Sequence, residues 1–124
     1  MIIGSGIDLI ETERVAEKLA RNRGFREKVF SPAEIEYCER MAETAQHFAG
    51  RFAAKEALLK ALGFGLTGYL ELKDAAIENN DLGAPFFVFA GEMRGIIAAR
   101  GVAHIHVSIS HIHLAASAVV ILEA

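Results

Sequence analysis

The sequence has few of the residues that crosslink or interrupt a fold. Its 124 residues include one cysteine, Cys38, two prolines and no tryptophan. One cysteine cannot form an intrachain disulfide, which argues against a small secreted scaffold and favours a reducing compartment, so a cytoplasmic protein is expected. The chain also has no apolar run long enough to cross a bilayer and no basic segment before its first apolar residues, so we expect neither membrane insertion nor export.

The chain carries little net charge, and that charge is unevenly distributed. The formal net charge is -3, although residues 14–28 contain six basic side chains and two acidic ones, which gives this segment +4 and the remainder -7. A small negative net charge argues against general nucleic-acid binding, and a compact basic patch on an acidic background predicts a particular anionic partner.

The composition and the apolar periodicity predict one packed α+β domain over residues 1–124. The hydrophobic fraction is 52% and the charged fraction 23%, as in globular chains, and no repeat or linker divides the sequence. Strands are predicted at residues 2–10, 70–77, 86–89, 104–111 and 114–122, and helices at residues 12–19, 32–41, 44–62 and 92–99. Ser31, Pro32 and Glu34 form a strong helix start. We therefore expect a mostly antiparallel sheet packed against a long central helix and shorter helices.

Asp8 interrupts the first predicted strand, which is otherwise apolar on both faces and therefore expected to be buried on both. Because an unpaired carboxylate in such a strand is costly, Asp8 is expected to meet a metal ion, a cation or a set of hydrogen-bond donors. The alternative is that the strand ends at Ile7 and that Asp8 caps a turn or the helix that follows.

The long helix carries three charged residues near its carboxyl end. Glu56 and Lys60 are four residues apart and project from one flank, so a metal-binding carboxylate and a phosphate-binding ammonium can share one cleft; the alternative is an ordinary exposed ion pair. Lys55 lies on the apolar face instead, where it either snorkels past the core or reaches a buried anion. Gly63 follows the helix, and a glycine there either brings backbone amides close to phosphates or simply ends the helix.

Four of the five histidines lie between positions 104 and 113. A zinc site is one interpretation, and a partly exposed strand edge is the other, because neither a cysteine nor a His-Glu-x-x-His helix accompanies them. His111 shares the parity of the apolar residues of its strand. That position suits a general base or a phosphate contact, and equally a satisfied core histidine.

Taken together and in order, the motifs resemble a known family. They are Gly6-Ile7-Asp8-Leu9, Gly50-Arg51-Phe52-Ala53-Ala54-Lys55-Glu56-Ala57, Lys60-Ala61-Leu62-Gly63-Phe64-Gly65, Gly83-Ala84-Pro85 and His106-Val107-Ser108-Ile109-Ser110-His111. In order and spacing they are similar to the holo-acyl-carrier-protein synthases, a type of phosphopantetheinyl transferase, over nearly the whole chain.

The resemblance implies the transfer of 4′-phosphopantetheine from coenzyme A to a serine of an apo-acyl carrier protein, for fatty acid biosynthesis. It also implies a Mg²⁺ ion held by Asp8 and Glu56, in keeping with the preference of Mg²⁺ for a few carboxylates together with phosphate oxygens. Further implied contacts with coenzyme A come from Arg51, Lys60, the Gly63 backbone and His111. The catalytic residues would then be Asp8, Glu56, Lys60 and His111.

The same resemblance implies how the chain meets its protein partners. The basic helix is implied to dock the acidic carrier protein through Arg14, Lys18, Arg21 and Phe25. The alternative for Phe25 is that its ring turns inward and anchors this segment to the core. Active members of the family are compact homotrimers with active sites at the subunit interfaces, and neither nucleic acid nor a membrane is an expected partner.

The sequence departs from the family pattern at three places. Phe64 stands between two glycines where a small or polar residue is usual, Ile112 and His113 replace polar residues after the site histidine, and segment 43–46 lacks the basic residues that some members place near the adenylate end of the coenzyme.

Two other functions are alternatives to the one that the resemblance implies. One is a histidine-based metal hydrolase, built on segment 104–113, and the other is a non-enzymatic module that docks an acidic partner through segment 14–28.

Overall fold

The computed structural model describes residues 1–22, 24–64 and 71–124 of the chain. Its helices and strands, in chain order, are β1 (Ile2–Glu11), α1 (Thr12–Arg21), α2 (Phe25–Val29), α3 (Pro32–Arg40), α4 (Thr44–Leu62), a short 3₁₀ turn (Leu72–Asp74), β2 (Ala75–Asn79), β3 (Pro85–Phe89), α5 (Gly91–Ala99), β4 (His104–His111) and β5 (Ala115–Glu123). The predicted α+β class, with antiparallel strands and a long central helix, is confirmed.

The strands form two antiparallel sheets. β1, β5 and β4 make a three-stranded sheet with β5 in the middle, and β2 pairs with β3 across the predicted turn. In the larger sheet Asp8 lies opposite Ala118 and His111 lies opposite Ala116. His111 is the last residue of β4, which is an edge strand of this sheet, and a short connection leads from there to β5.

The central helix α4 is buried on nearly all sides because small residues allow close approach. Its carboxyl-terminal half packs on the larger sheet, and its amino-terminal half packs on α1, α2 and α3 through Phe48 and Phe52. A Cβ atom on Gly6 of β1 would overlap the carbonyl oxygen of Ala57, so the strand meets the helix backbone to backbone. This contact fixes β1, and Asp8 with it, against α4.

The prediction that β1 is buried on both faces does not hold within the single chain. One face packs on α4, whereas Ile7 and Leu9 on the opposite face are 65% and 74% exposed in the single chain. The described elements of one chain cover only one side of the larger sheet. A second correction concerns the strand predicted at residues 70–77: residues 72–74 form the 3₁₀ turn, β2 begins at Ala75, and residue 70 lies outside the described ranges.

In the described ranges no helix combines the length and the apolar character that a membrane span requires.

Candidate active site

Three charged side chains form a cluster where β1 crosses the carboxyl-terminal half of α4. Asp8 lies within β1, which continues to Glu11, so the strand does not end at Ile7 and Asp8 does not cap a helix. The Lys60 ammonium donates to Asp8 Oδ1 at 3.1 Å and to the Ile7 carbonyl oxygen at 2.9 Å. The expected cation partner of Asp8 is therefore Lys60 in this state of the protein.

Glu56 completes this cluster from α4 and is half-buried. Burial first, and then the negative charge of Asp8, raises the pKa of Glu56 above its ordinary value, while the ammonium groups of Lys60 and Lys18 act in the opposite direction. Among the described ion pairs Lys60 binds Asp8 and not Glu56, so the alternative of a simple i, i+4 pair is wrong. Two neighbouring carboxylates, one of them resisting ionisation, are an oxygen ligand set that a divalent cation stabilises.

The end of α4 resolves the two interpretations of Gly63. Its φ of 83° is left-handed, its amide donates to the Lys60 carbonyl at 3.0 Å, and the Phe64 amide donates to the Leu59 carbonyl at 2.9 Å. Both amides therefore end the helix rather than face outward as free donors. No atom of the described residues lies within 4 Å of where a Gly63 Cβ would be, and Gly65 is outside those residues.

Lys55 reaches a buried anion, which belongs to the protein itself. Its Nζ donates to Glu34 Oε1 at 2.7 Å and to the carbonyl oxygens of Leu72 and Ala75 at 2.8 and 3.0 Å, and both charged side chains are fully buried. Burial lowers the pKa of Lys55 to about 8, and the Glu34 carboxylate partly offsets this effect. Lys55 thus holds α3, α4 and the start of β2 together.

Glu34 has a larger role than its sequence context predicted. Its carboxylate accepts from the Ser31 amide at 2.9 Å, as the helix start predicted, and also from the Ile77 amide at 3.1 Å. Arg51 Nε lies 3.9 Å from Glu34 Oε2. The signal that pointed to this residue was the lysine on the apolar face of α4, because a buried ammonium requires an anion.

Arg51 and His111 line a separate cavity of about 190 Å³. Arg51 Nη2 donates to Asn79 Oδ1 at 2.7 Å, and its guanidinium carbon lies 4.2 Å from the centre of the Tyr37 ring. A guanidinium held in this way is suited to phosphate recognition. The cavity lies between α3, α4, β4 and the β2–β3 turn; its lining residues are Tyr37, His47, Gly50, Arg51, Asn79, Gly83, Pro85, Ile109 and His111.

His111 is exposed, so the interpretation of a satisfied core histidine is wrong. Its Nδ1 lies 2.9 Å from Gln46 Oε1, and its ring meets the His47 ring edge-on with the ring centres 5.0 Å apart. Burial lowers the pKa of the His47 ring below its ordinary value, and the charges of His111 and Arg51 act in the same direction. Arg51 is the only Lys, Arg, Asp or Glu side chain among the described lining residues, so the cavity favours an anionic ligand.

The other histidines of segment 104–113 form no cluster with it. His106 Nε2 lies 2.8 Å from Glu123 Oε1 on the exposed face of the edge strand. Across residues 1–22, 24–64 and 71–124, no three His, Cys, Asp or Glu side chains are grouped so as to hold a metal ion. Within those ranges the interpretation as a strand edge is favoured over a three-ligand zinc site.

Comparison with known proteins shows to which family this chain belongs. The family model described as the 4′-phosphopantetheinyl transferase superfamily matches residues 4–118. The chain belongs to this superfamily. Within it, the holo-[acyl-carrier-protein] synthase of Syntrophus aciditrophicus (strain SB) is 47% identical over 124 residues, which cover 99% of this chain and 97% of that relative.

Solved structures of phosphopantetheinyl transferases have the same fold. The holo-[acyl-carrier-protein] synthase from Neisseria meningitidis superposes with a TM-score of 0.89 at 26% identity and covers 100% of both chains. The holo-(acyl-carrier-protein) synthase from Bacillus anthracis, in complex with CoA (3′,5′-ADP), has a TM-score of 0.81 at 33% identity and covers 100% of this chain and 98% of that one. The resemblance deduced from the motifs is confirmed.

In this phosphopantetheinyl transferase chain, the sequence-predicted site residues fall into two groups. Asp8, Glu56 and Lys60 form one cluster, and Arg51 with His111 forms the other. Among the described residues no hydrogen bond joins the two groups.

The basic helix α1 presents a third surface. Arg14, Lys18 and Arg21 surround a shallow depression, and Val15 on the opposite side is fully buried. The segment is therefore an amphipathic helix with its charges outward, as predicted; Arg23 lies outside the described residues.

Phe25 is not part of that exposed surface. It is 9% exposed and packs against Phe30 and Phe52, with ring centres 6.1 and 5.9 Å away, because α2 turns the ring into the core. The prediction of Phe25 as a docking contact is corrected: the ring anchors α2. Lys18 Nζ lies 5.6 Å from its centre and covers it from the solvent side.

Proposed function

We propose that this chain is a holo-acyl-carrier-protein synthase that transfers 4′-phosphopantetheine from coenzyme A to a serine of apo-acyl carrier protein and releases 3′,5′-ADP. The observation that carries this proposal is the near-complete match to relatives of that name, combined with the Asp8, Glu56 and Lys60 cluster. By the same relationship we assign the protein to the cytoplasm and to fatty acid biosynthesis.

The two carboxylates fit a magnesium ion. Asp8 and Glu56 supply oxygen ligands only, and the pKa of Glu56 is raised first by burial and then by the neighbouring negative charge of Asp8, both of which a bound cation would offset. Mg²⁺ in such sites takes one or two carboxylates and completes its ligand set with phosphate oxygens and water. When bound, the ion would supply charge neutralisation at the pyrophosphate.

The protein's own cations would hold the coenzyme. Lys60 is 54% exposed and projects beside the carboxylates, where its ammonium can exchange Asp8 for a phosphate oxygen. Arg51 and His111 would bind the other phosphate groups at the cavity. Gly63 contributes space beside Lys60 rather than an amide donor.

The reaction follows from these positions. The carrier serine oxygen attacks the β-phosphorus of coenzyme A, a new P–O bond forms, and the bond from that phosphorus to the bridging oxygen breaks with its electron pair leaving on 3′,5′-ADP. Lys60 stabilises the negative charge that grows on the leaving group. The serine proton passes to a base, for which His111 and a water molecule are the candidates.

A homotrimer with interfacial sites would unite the two clusters. In one chain the carboxylate cluster and the Arg51–His111 cavity are separate, and the outer face of the larger sheet exposes Ile7, Leu9 and Val119. An exposed apolar face of this kind commonly marks a protein interface. We therefore assign the covering partner as further copies of this chain.

Mass spectrometry of an apo-acyl carrier protein incubated with this protein, coenzyme A and Mg²⁺ tests the function. We expect the mass to increase by one 4′-phosphopantetheine group, with 3′,5′-ADP appearing in equal amount. Binding of the carrier without any mass increase would favour the non-enzymatic docking module instead. Omitting coenzyme A provides the matched control.

A further inference from the structure

Gln46 makes two hydrogen bonds that together define the state of His111. It lies in the first turn of α4 and reaches the end of β4, where its Oε1 lies 2.9 Å from His111 Nδ1. Its Nε2 donates to Glu43 Oε2 at 3.1 Å. Glu43, Gln46 and His111 thus form a continuous chain at the rim of the cavity.

The chemistry of the three groups fixes the direction of each bond. A carboxylate only accepts hydrogen bonds, so the NH₂ group of the Gln46 amide must face Glu43. The amide oxygen then faces His111, and because it too only accepts, Nδ1 of the imidazole must carry a proton. In the neutral ring, Nε2 is therefore left with a lone pair and no hydrogen.

Because Nδ1 faces Gln46, the ring edge that carries Cδ2 and Nε2 is the one nearer to Gly50 and the cavity, and we infer that Nε2 faces the cavity. Its neighbouring carbon, Cδ2, is 3.9 Å from where a Cβ on Gly50 would lie, and Gly50 lines the cavity. Among the described residues, none forms a hydrogen bond with Nε2. The titratable and charged groups that face the ring across the cavity are His47 and Arg51 from α4 and Tyr37 from α3.

We propose that Gln46, oriented by Glu43, is a positioning residue that keeps the proton of His111 on Nδ1, so that binding of a nucleotide phosphate at Nε2 requires proton uptake by His111. The proposal rests on the proposed function, which supplies 3′,5′-ADP and coenzyme A as ligands. A neutral ring in this tautomer presents its lone pair to an anionic oxygen, which is unfavourable. The imidazolium instead donates a charge-assisted hydrogen bond and cannot then accept the serine proton, so on this proposal the base in the reaction is the water molecule. Without Gln46 the neutral ring is free to place its proton on Nε2 and donate without taking up another.

Nitrogen-detected NMR of the histidine rings tests the tautomer in the free protein. At a pH where His111 is neutral, we expect Nδ1 to be protonated in the parent and a mixture of tautomers in Gln46→Met. The Glu43→Gln/Gln46→Glu double variant exchanges the amide and the carboxylate but keeps an acceptor beside Nδ1, so it should retain the parent's tautomer. His106 is an internal reference with the opposite expectation, because its Nε2 faces the Glu123 carboxylate. An Nε2-protonated His111 in the parent, or an unchanged pattern in Gln46→Met, would overturn the proposal.

Calorimetry with 3′,5′-ADP in two buffers of different ionisation enthalpy tests the consequence. The parent should take up a fraction of a proton on binding at neutral pH, and Gln46→Met should take up less than about half as much. Equal proton uptake in the parent and Gln46→Met would contradict the proposal. Absence of 3′,5′-ADP binding in every protein would count against the proposed function, whereas the NMR result would still decide the tautomer.

Discussion

Glu56 is a residue whose surroundings oppose its ionised form. Its pKa is raised by burial and by Asp8, so the folded state binds this proton more tightly than the unfolded state does. Stability must then fall as pH rises through the ordinary glutamate range and stay lowered above the raised pKa. A group retained at such a cost suggests a functional role.

Glu56→Gln should therefore stabilise the fold while removing activity. Above the raised pKa we expect the free energy of unfolding to increase by roughly half a kcal/mol, a small value because the side chain is partly exposed. The gain should vanish below the glutamate range, where the parent is also neutral. Denaturant unfolding across pH, together with carrier-protein turnover, measures both effects. Glu92→Gln, on an exposed position of α5, is the control and should show no such pH-dependent gain.

Substitution of Lys60 distinguishes two roles for this residue, a partner in a surface ion pair and a catalytic cation. Its bond to Asp8 is solvent-exposed, and exposed pairs contribute about 0–1 kcal/mol to stability. Lys60→Met should thus leave the unfolding free energy within about 1 kcal/mol of the parent but lower kcat by about 10²–10³-fold, and added Mg²⁺ should not restore it. Lys73→Met, which breaks the similarly exposed pair with Glu71 at 3.2 Å, should keep full turnover. Parent-like turnover in Lys60→Met would return the residue to an ordinary surface pair.

At the scale of elements, the buried Glu34–Lys55 pair joins three segments that are distant in the sequence. Removing one partner of a buried ion pair leaves an uncompensated charge, which typically costs about 3–5 kcal/mol. Lys55→Met should lose about that much stability, because Glu34 then keeps only its amide donors and the more distant Arg51.

The Glu34→Gln/Lys55→Met double variant should recover part of that loss, since no buried charge remains. Recovery should be incomplete, because the Ser31 and Ile77 amides bind different oxygens of Glu34 and the single amide oxygen of glutamine can accept from only one of them. Denaturant unfolding of both single variants and the double variant gives the coupling energy directly. Losses that simply add would show that the two side chains do not act as a pair.

Local patterns predicted α1, α3, α4 and α5 to within two residues at each end, but they missed the short helix α2 and could not predict long-range pairing. The bounds of α4 follow from apolar spacing and from Gly63, and both were predicted correctly. The anion that receives Lys55 was left open, because Glu34 lies 21 residues earlier and its capping pattern already explained its presence. Phe25 was misassigned for a similar reason: the spacing of α1 does not determine how α2 turns back into the core.

The basic helix α1 is expected to orient the carrier protein by charge. Arg14→Glu combined with Arg21→Glu should lower kcat/KM for the carrier strongly, by about tenfold or more at low ionic strength, and leave 3′,5′-ADP affinity unchanged. Salt should reproduce the effect in the parent, because exposed charges are screened. The matched control is Lys73→Glu with Arg94→Glu, which makes the same charge change away from α1. Equal losses in both double variants would indicate a general effect of net charge, and the docking assignment would fail.

At the scale of the whole molecule, the single chain explains the site only in part. The sequence placed Asp8, Glu56, Lys60, Arg51 and His111 in one site by resemblance, whereas the fold of one chain divides them into two groups. Periodicity also predicted a β1 buried on both faces, and the part of one chain that the structure describes covers only one of them. Both differences have the same physical explanation if a second copy covers the outer face of the larger sheet. The apolar pattern of a strand reflects its burial in the assembly as well as its burial within one chain.

A charged side chain on the outer face of the larger sheet tests that explanation. Val119 lies on β5, in the middle of the outer sheet face, opposite Ile7. Val119→Lys should place a charge in the proposed interface, so light scattering should show the mass fall from three chains toward one, and turnover should fall with it because the two residue groups separate. Leu82→Lys is the control: Leu82 is 94% exposed in the β2–β3 turn, outside the larger sheet, so this variant should keep the parent's mass. A parent that is already monomeric and fully active would contradict the trimer. If Val119→Lys is a monomer that keeps the parent's turnover, the trimer stands but its active sites do not lie at the interfaces. Each chain would then contain a complete active site.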